Sequence, residues 1–230
     1  MLGLAPEDLA AVRLSLLVAT VGTLASLPVA VLVALLLARG RFPGKTLLDG
    51  LVHLPLVLPP VVTGYLLLLS FGRRGLFGEA LANCCGLVFS FRWTGAALAA
   101  GIMGFPLMVR AIRLSIEAVD RRLEDAAETL GAGRIGVLFV VTLPLAAPGL
   151  LAGLVLAFAK ALGEFGATIT FVSNIPGETR TLPAAIYTLT QTPGGDAAAL
   201  HLVLVAIGLS LLALVASELL ARRLASRIAG

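Results

Sequence analysis

Lys160 and Glu164 stand four residues apart inside an apolar run long enough to cross a bilayer, and this pair is the first place to look for chemistry. At helical pitch the two side chains share a face. Charges at such depth are costly and seldom face lipid. They either neutralise each other and hold a helix in register, or they line a water-filled path. Thr168, Thr170 and Ser173 follow closely and supply neutral hydroxyl donors. A second group of charges lies at Glu124, Asp125 and Glu128, between apolar runs and not within one. No span carries paired carboxylates, a Ser/His/Asp set, a His-rich metal motif or a cofactor fingerprint, so the sequence assigns no catalytic residue, no metal ligand and no cofactor. His53 and His201 sit near span ends without acidic partners in the core, which argues against a proton relay. Cys84 and Cys85 are adjacent, read as part of a loop, and are too few for a structural zinc site. Gly40 to Thr46 mimics a phosphate loop, but only three residues separate its glycines and no strand precedes it.

The elements that hold these residues follow from composition. Hydrophobic residues make up 59% of the 230 and charged residues 13%, with a mean hydropathy of +1.03. Soluble domains are about half apolar and a quarter charged, so this is an all-α, polytopic membrane protein in contact with lipid. The net charge of +4 comes from basic residues flanking apolar runs, which is a topological signal and not a nucleic-acid one. Five runs are long enough to span: Leu14–Ala38, Leu51–Phe71, Thr94–Ile112, Leu145–Val172 and Ala199–Leu220. Residues 1–13 read as a short interfacial helix, and the first span has no cleaved-signal character. The whole chain, 1–230, forms one transmembrane domain.

Eleven Lys and Arg residues flank one set of span ends and five the other. The richer set contains Arg39, the residues around Arg121 and Arg134, and Arg222, Arg223 and Arg227; it is assigned to the cytoplasm. The N-terminus then faces the periplasm and the C-terminus the cytoplasm. Arg73, Arg74 and Arg180 fall on the outer side against this trend, where they either steer an acidic docking partner or anchor to anionic headgroups. In the second span Pro55, Pro59 and Pro60 remove amide donors and kink the helix. Carbonyls freed in lipid need water or a neighbour, so Pro59 and Pro60 are either candidate gate residues or a purely structural kink. Gly149, Gly153, Ala157 and Ala161 recur every four residues and form a small-residue seam, either for the core or for a dimer.

Residues 113–144 stand apart as a charged segment between spans. Ile116, Val119, Leu123, Ala126, Ala127 and Leu130 fall on one helical stripe, with charges opposite. Gly131 and Gly133 offer the positive φ that stops a helix, and Pro144 is expected to close the second of two short helices. A membrane protein has little use for an amphipathic hairpin of this kind unless something docks there.

The hairpin also matches a known pattern. Asp125-Ala126-Ala127, Gly131 six residues after Asp125, and Val141-x-Leu143-Pro144 resemble the EAA loop of ABC importer permeases, with Asp for the usual Glu and Val for the usual Ile. The resemblance implies that Glu124, Asp125, Ala126, Ala127, Gly131, Leu143 and Pro144 couple the chain to a cytoplasmic ATPase. HLPLVLPPVVTGYLLL, GFPLMVRAIRLSIEAVD and GEFGATITFVSNIPGETRTLP look like the molybdate ABC transporter permeases in particular. That likeness implies a transport subunit of the bacterial inner membrane, without ATPase activity of its own. Its implied partners are a second copy of the chain, an ATPase dimer and a periplasmic molybdate-binding protein. Sulfate, thiosulfate or tungstate permeases of the same superfamily are the near alternatives; a secondary anion transporter is the alternative of another class. For an oxyanion cargo, a carboxylate contact adds repulsion. Thr168, Thr170 and Ser173, with Pro59 and Pro60, are therefore the expected pathway residues, while Lys160 and Glu164 are expected to be a structural pair.

Overall fold

The fold was obtained as a computed structural model describing residues 6–229, with Ser217, Glu218 and the residues from Leu220 on described in backbone alone. The basic cluster Arg222, Arg223 and Arg227 has side chains outside the described part. All regular elements among the described residues are helical. Helix α1 (Pro6–Arg39) is continuous over 34 residues. The separate interfacial helix expected at residues 1–13 is thus, from Pro6 on, the start of the first span. Pro6 suits a first helical turn, Glu7 and Asp8 complement the dipole there, and nothing between them and Leu14 breaks the helix.

The second apolar run is not one continuous kinked helix. It divides into α2 (Lys45–Val57) and α3 (Pro60–Phe71), bent by 113°. Leu58 and Pro59 each precede a proline, which drives both out of the α region, and both are extended. Past the turn at Arg73 and Arg74 comes α4 (Leu76–Cys85), a helix where a loop was expected. Phe77 stacks on Phe71 with ring centroids 5.4 Å apart. Cys84 and Cys85 close this helix, both exposed and not joined in a disulfide.

Helix α5 (Trp93–Ala118) is the hub. It ends at Val119, so Ile116 and Val119 do not continue a stripe into the hairpin; they are buried, whereas Leu123 is half exposed. Two helices cross α5 through small residues. A side chain on Gly22 of α1 would strike the Ala97 carbonyl, and one on Gly101 would strike the backbone of Gly22. The hairpin, α6 (Arg121–Thr129) and α7 (Arg134–Val137), leads through a π-helical turn (Leu138–Thr142) into α8 (Leu143–Leu162). On α8 the seam of Gly149, Gly153 and Ala157 faces α5, against Ser115, Met108 and Gly104 respectively. It is a core seam. Ser115 Oγ donates to the Ala146 carbonyl at 3.2 Å across the same contact.

Pro144 does not end the hairpin's second helix. It lies in the first turn of α8, and the span runs Arg134–Leu162, not Leu145–Val172. Without an N–H to give the carbonyl one turn back, Pro144 favours widening, and the preceding bonds become i to i−5. At Gly163 the helix stops. After the break comes α9 (Gly166–Val172), then α10 (Leu182–Thr190) and α11 (Asp196–Ala229). Ser15 of α1 accepts the Leu182 N–H at 2.6 Å and fastens α10. Four stretches are long and apolar enough to cross a membrane, and the bent α2–α3 pair makes a fifth if it counts as one span.

Candidate functional site

The hairpin is built to be rigid on one side and open on the other. Asp120 caps α6 by accepting the Arg122 N–H at 2.9 Å. The helix stops at Gly131, whose φ of 91° is left-handed; Ala132 N–H then reaches back to the Ala127 carbonyl at 3.0 Å. Gly133 has a φ of −68° and takes no part in the stop; it caps α7 instead. No residue of α6 is buried. Leu130 is 89% exposed, and Ile135, Phe139 and Val140 are exposed with it. Together they leave an exposed apolar surface on the hairpin and the turn that follows it. Ala126 is exposed, Ala127 half-buried, and Asp125 meets no side-chain partner among the described residues.

Glu124 behaves differently from its neighbour. Its Oε1 accepts from Arg39 at 3.0 Å and from the Thr142 hydroxyl at 2.7 Å. Arg39 also donates to the Val119 carbonyl at 3.2 Å. Glu124 therefore points into the molecule, beside a cleft of about 540 Å³ that Asp125, Glu128, Arg121 and Arg134 also line. Leu143 and Pro144 lie at the root of α8, behind the hairpin.

The second part of the site is where α3 meets α9. Each follows a break in an apolar run, and they approach closely where each carries a glycine. A Cβ on Gly64 would lie 2.5 Å from the Ala167 carbonyl, and one on Gly166 would lie 2.8 Å from Pro60 Cβ. Pro59 and Pro60 thus stand at the start of α3, against the start of α9. Glu164 is 2% exposed. Its Oε2 accepts from Lys160 at 2.6 Å, and its Oε1 accepts the Ala167 N–H at 2.9 Å. The carboxylate is both the counter-charge of Lys160 and the side-chain acceptor at the first turn of α9.

The three hydroxyls divide. Thr168 donates to the Phe165 carbonyl at 2.8 Å and Thr170 to the Gly166 carbonyl at 2.8 Å. Their protons are engaged within the helix. Ser173 is exposed and holds a φ of 66°, a conformation a serine adopts only at a cost. Arg73 and Arg74 are exposed between α3 and α4; Arg180 is half-buried and donates to Asn174 Oδ1 at 3.1 Å. These three arginines lie at the end of the molecule away from the hairpin. At Gly40–Thr46 the chain makes a tight turn, with Lys45 donating to the Gly40 carbonyl at 3.3 Å.

Small-residue crossings on α5, broken apolar helices and an exposed hairpin are the features that set this fold apart. The chain belongs to the family of binding-protein-dependent transport system inner membrane components, whose model matches residues 26–226. It is 62% identical to the Molybdenum transport system permease protein ModB of Escherichia coli (strain K12), over 92% of this chain and 93% of that one. To the Sulfate transport system permease protein CysT of Salmonella typhimurium it is 36% identical, over 98% of this chain and 80% of that one. The fold matches a bacterial ABC transporter involved in the import of the acidic polysaccharide alginate, with a TM-score of 0.74 at 18% identity, covering 95% of this chain and 80% of that one.

Proposed function

We propose that this chain is the membrane permease subunit of an ATP-driven molybdate importer. Two copies form the path by alternating access. A pair of ATPase subunits docks on the two hairpins, and a periplasmic molybdate-binding protein delivers cargo at the opposite end. The hairpin and the C-terminus face the cytoplasm and the N-terminus the periplasm, as the Lys and Arg distribution favours. The identity of 62% over nearly all of the chain carries the reading of the cargo. The exposed Leu130, Ile135, Phe139 and Val140 support the dock. Arg73, Arg74 and Arg180 steer the binding protein through acidic residues on its surface.

The path runs past the α2–α3 break and α9. Backbone freed at Pro59 and Pro60 needs water or a neighbour, and a path beside the break supplies the water. Cargo handed over by a binding protein needs weak contacts that release it. Ser173 offers such a contact, while the hydroxyl protons of Thr168 and Thr170 stay with their own helix.

The test is uptake of labelled molybdate into proteoliposomes holding this chain and the ATPase, with the binding protein outside. Uptake is expected to need ATP, to vanish without the ATPase, and to resist excess sulfate. The 36% identity to a sulfate permease makes sulfate the second reading; efficient competition by sulfate would favour it. Uptake without the ATPase would instead point to a secondary transporter.

A further inference from the structure

We infer that Arg39, Glu124 and Thr142 form the strut that carries movement of the docked hairpin into the membrane helices. The inference rests on the reading of the hairpin as the ATPase dock, and it gives Glu124 a positioning role in place of a contact with the ATPase. The geometry separates Glu124 from Asp125 next to it. Asp125 is exposed and unpartnered among the described residues, free to meet another protein. The side chain of Glu124 is 17% exposed and turned inward.

A single oxygen of Glu124 joins three elements. Arg39 is the last residue of α1, and it reaches Glu124 Oε1 at 3.0 Å. Thr142 ends the π-helical turn that feeds α8, and its hydroxyl reaches the same oxygen at 2.7 Å. The Arg39 guanidinium also holds the Val119 carbonyl at the end of α5. No residue of α6 is buried, so packing alone does not fix this helix to the bundle. Its other side-chain bonds, at Asp120 and Thr129, are local to the helix. Beside the short link to α5 through Val119 and Asp120, a push on α6 therefore reaches α1, α5 and α8 together through one carboxylate.

Two further features fit a strut better than a surface ion pair. Arg39 Nε is buried without a partner, so the guanidinium is partly desolvated and depends on Glu124 for its counter-charge. Thr142 is 4% exposed and sits in the widened turn before Pro144, a segment able to exchange one hydrogen-bond register for another.

The experiment uses the assembled transporter in proteoliposomes and measures three quantities: ATPase association, ATP hydrolysis and anion imported per ATP. Glu124→Gln, Arg39→Met and Thr142→Val are each expected to keep association and hydrolysis while import per ATP falls about tenfold. Thr142→Ser, which keeps the hydroxyl, is expected to restore coupling. Arg39→Met with Glu124→Gln is expected to be no worse than the poorer single variant, because both interrupt one connection. Unchanged import per ATP in all the variants overturns the strut. So does a loss of ATPase association equal to the loss of import, which would place Glu124 at the docking face. Failure of the unaltered chain to bind the ATPase overturns the functional reading instead.

Discussion

Glu164 illustrates how a residue that looks made for cargo is committed elsewhere. It is buried, and its two oxygens serve Lys160 and the Ala167 N–H. Glu164→Gln can still accept from Ala167 but leaves Lys160 without its counter-charge. The expected loss is about 1–3 kcal/mol in thermal unfolding of the detergent-solubilised protein. Molybdate-over-sulfate selectivity is expected to stay the same. The double change Lys160→Met with Glu164→Gln should recover part of the loss, since no lone charge remains at depth. A stable Glu164→Gln protein with altered selectivity would show that the carboxylate reads the cargo. At the end of α4, a hydrogen bond with Cys84 pushes the Cys85 thiol above its usual value. Because only the thiolate is nucleophilic, a raised value means less thiolate at neutral pH. Alkylation of Cys85 is expected to be slower at pH 7 than that of a free cysteine and to catch up as pH rises; replacing Cys84 with serine should narrow the gap. Equal rates at pH 7 would remove this account.

At the scale of elements, what the sequence made legible were features that periodicity and backbone chemistry determine locally. Helix α10 (Leu182–Thr190) follows the Asn174-Pro176-Gly177 interruption and carries Pro183 in its first turn, where a proline is suited. The stop at Gly131 was legible because only a left-handed residue ends α6 there, while Gly133 was indistinguishable from it by type alone. Helix α4 was missed, although Leu76, Phe77, Ala80 and Leu81 keep helical spacing, because the flanking glycines and arginines read as loop. The breaks at Leu58–Pro59 and Gly163–Phe165 were underestimated. A run of apolar residues says that a segment is in the membrane; it does not say whether the chain crosses straight or turns back on a neighbour such as Gly64. The inward turn of Glu124 was invisible, since its partners lie 85 and 18 residues away. The Gly131 stop yields the element's prediction. A Cβ built there meets nothing within 4 Å, so any harm from substitution comes from the backbone. Gly131→Val forces a β-branched residue to a φ of 91°, at a cost of about 1–2 kcal/mol or more. ATPase association in a pull-down is expected to fall sharply with membrane insertion intact. Gly131→Asn, which tolerates the left-handed region, should retain more of it. Full association of Gly131→Val would detach the turn from docking.

At the scale of the whole molecule, the open question with the most consequence is which end faces the cytoplasm, because ATP is available on one side only. The bundle has two distinct ends. One holds the hairpin, the C-terminus of α1 and the C-terminus of α5, tied together through Arg39. The other holds the first residues of α1, near Arg180, and the α3–α4 turn with Arg73 and Arg74. Basic residues are commoner at the hairpin end, which favours the cytoplasm for it. The chain carries its own probes. Cys84 and Cys85 are exposed and belong to the end away from the hairpin. In intact, outer-membrane-permeabilised cells, a membrane-impermeant maleimide at pH 8 is expected to label them. In a background with both cysteines changed to serine, Thr129→Cys on exposed α6 gives the opposite probe. It is expected to react only in inside-out vesicles, and less once the ATPase is bound, because the docking face would then be covered. Labelling of Thr129→Cys from outside intact cells would place the hairpin in the periplasm. No ATPase could then reach Leu130 and Ile135, and the reading of this chain as an ATP-driven importer's permease would fall with the topology.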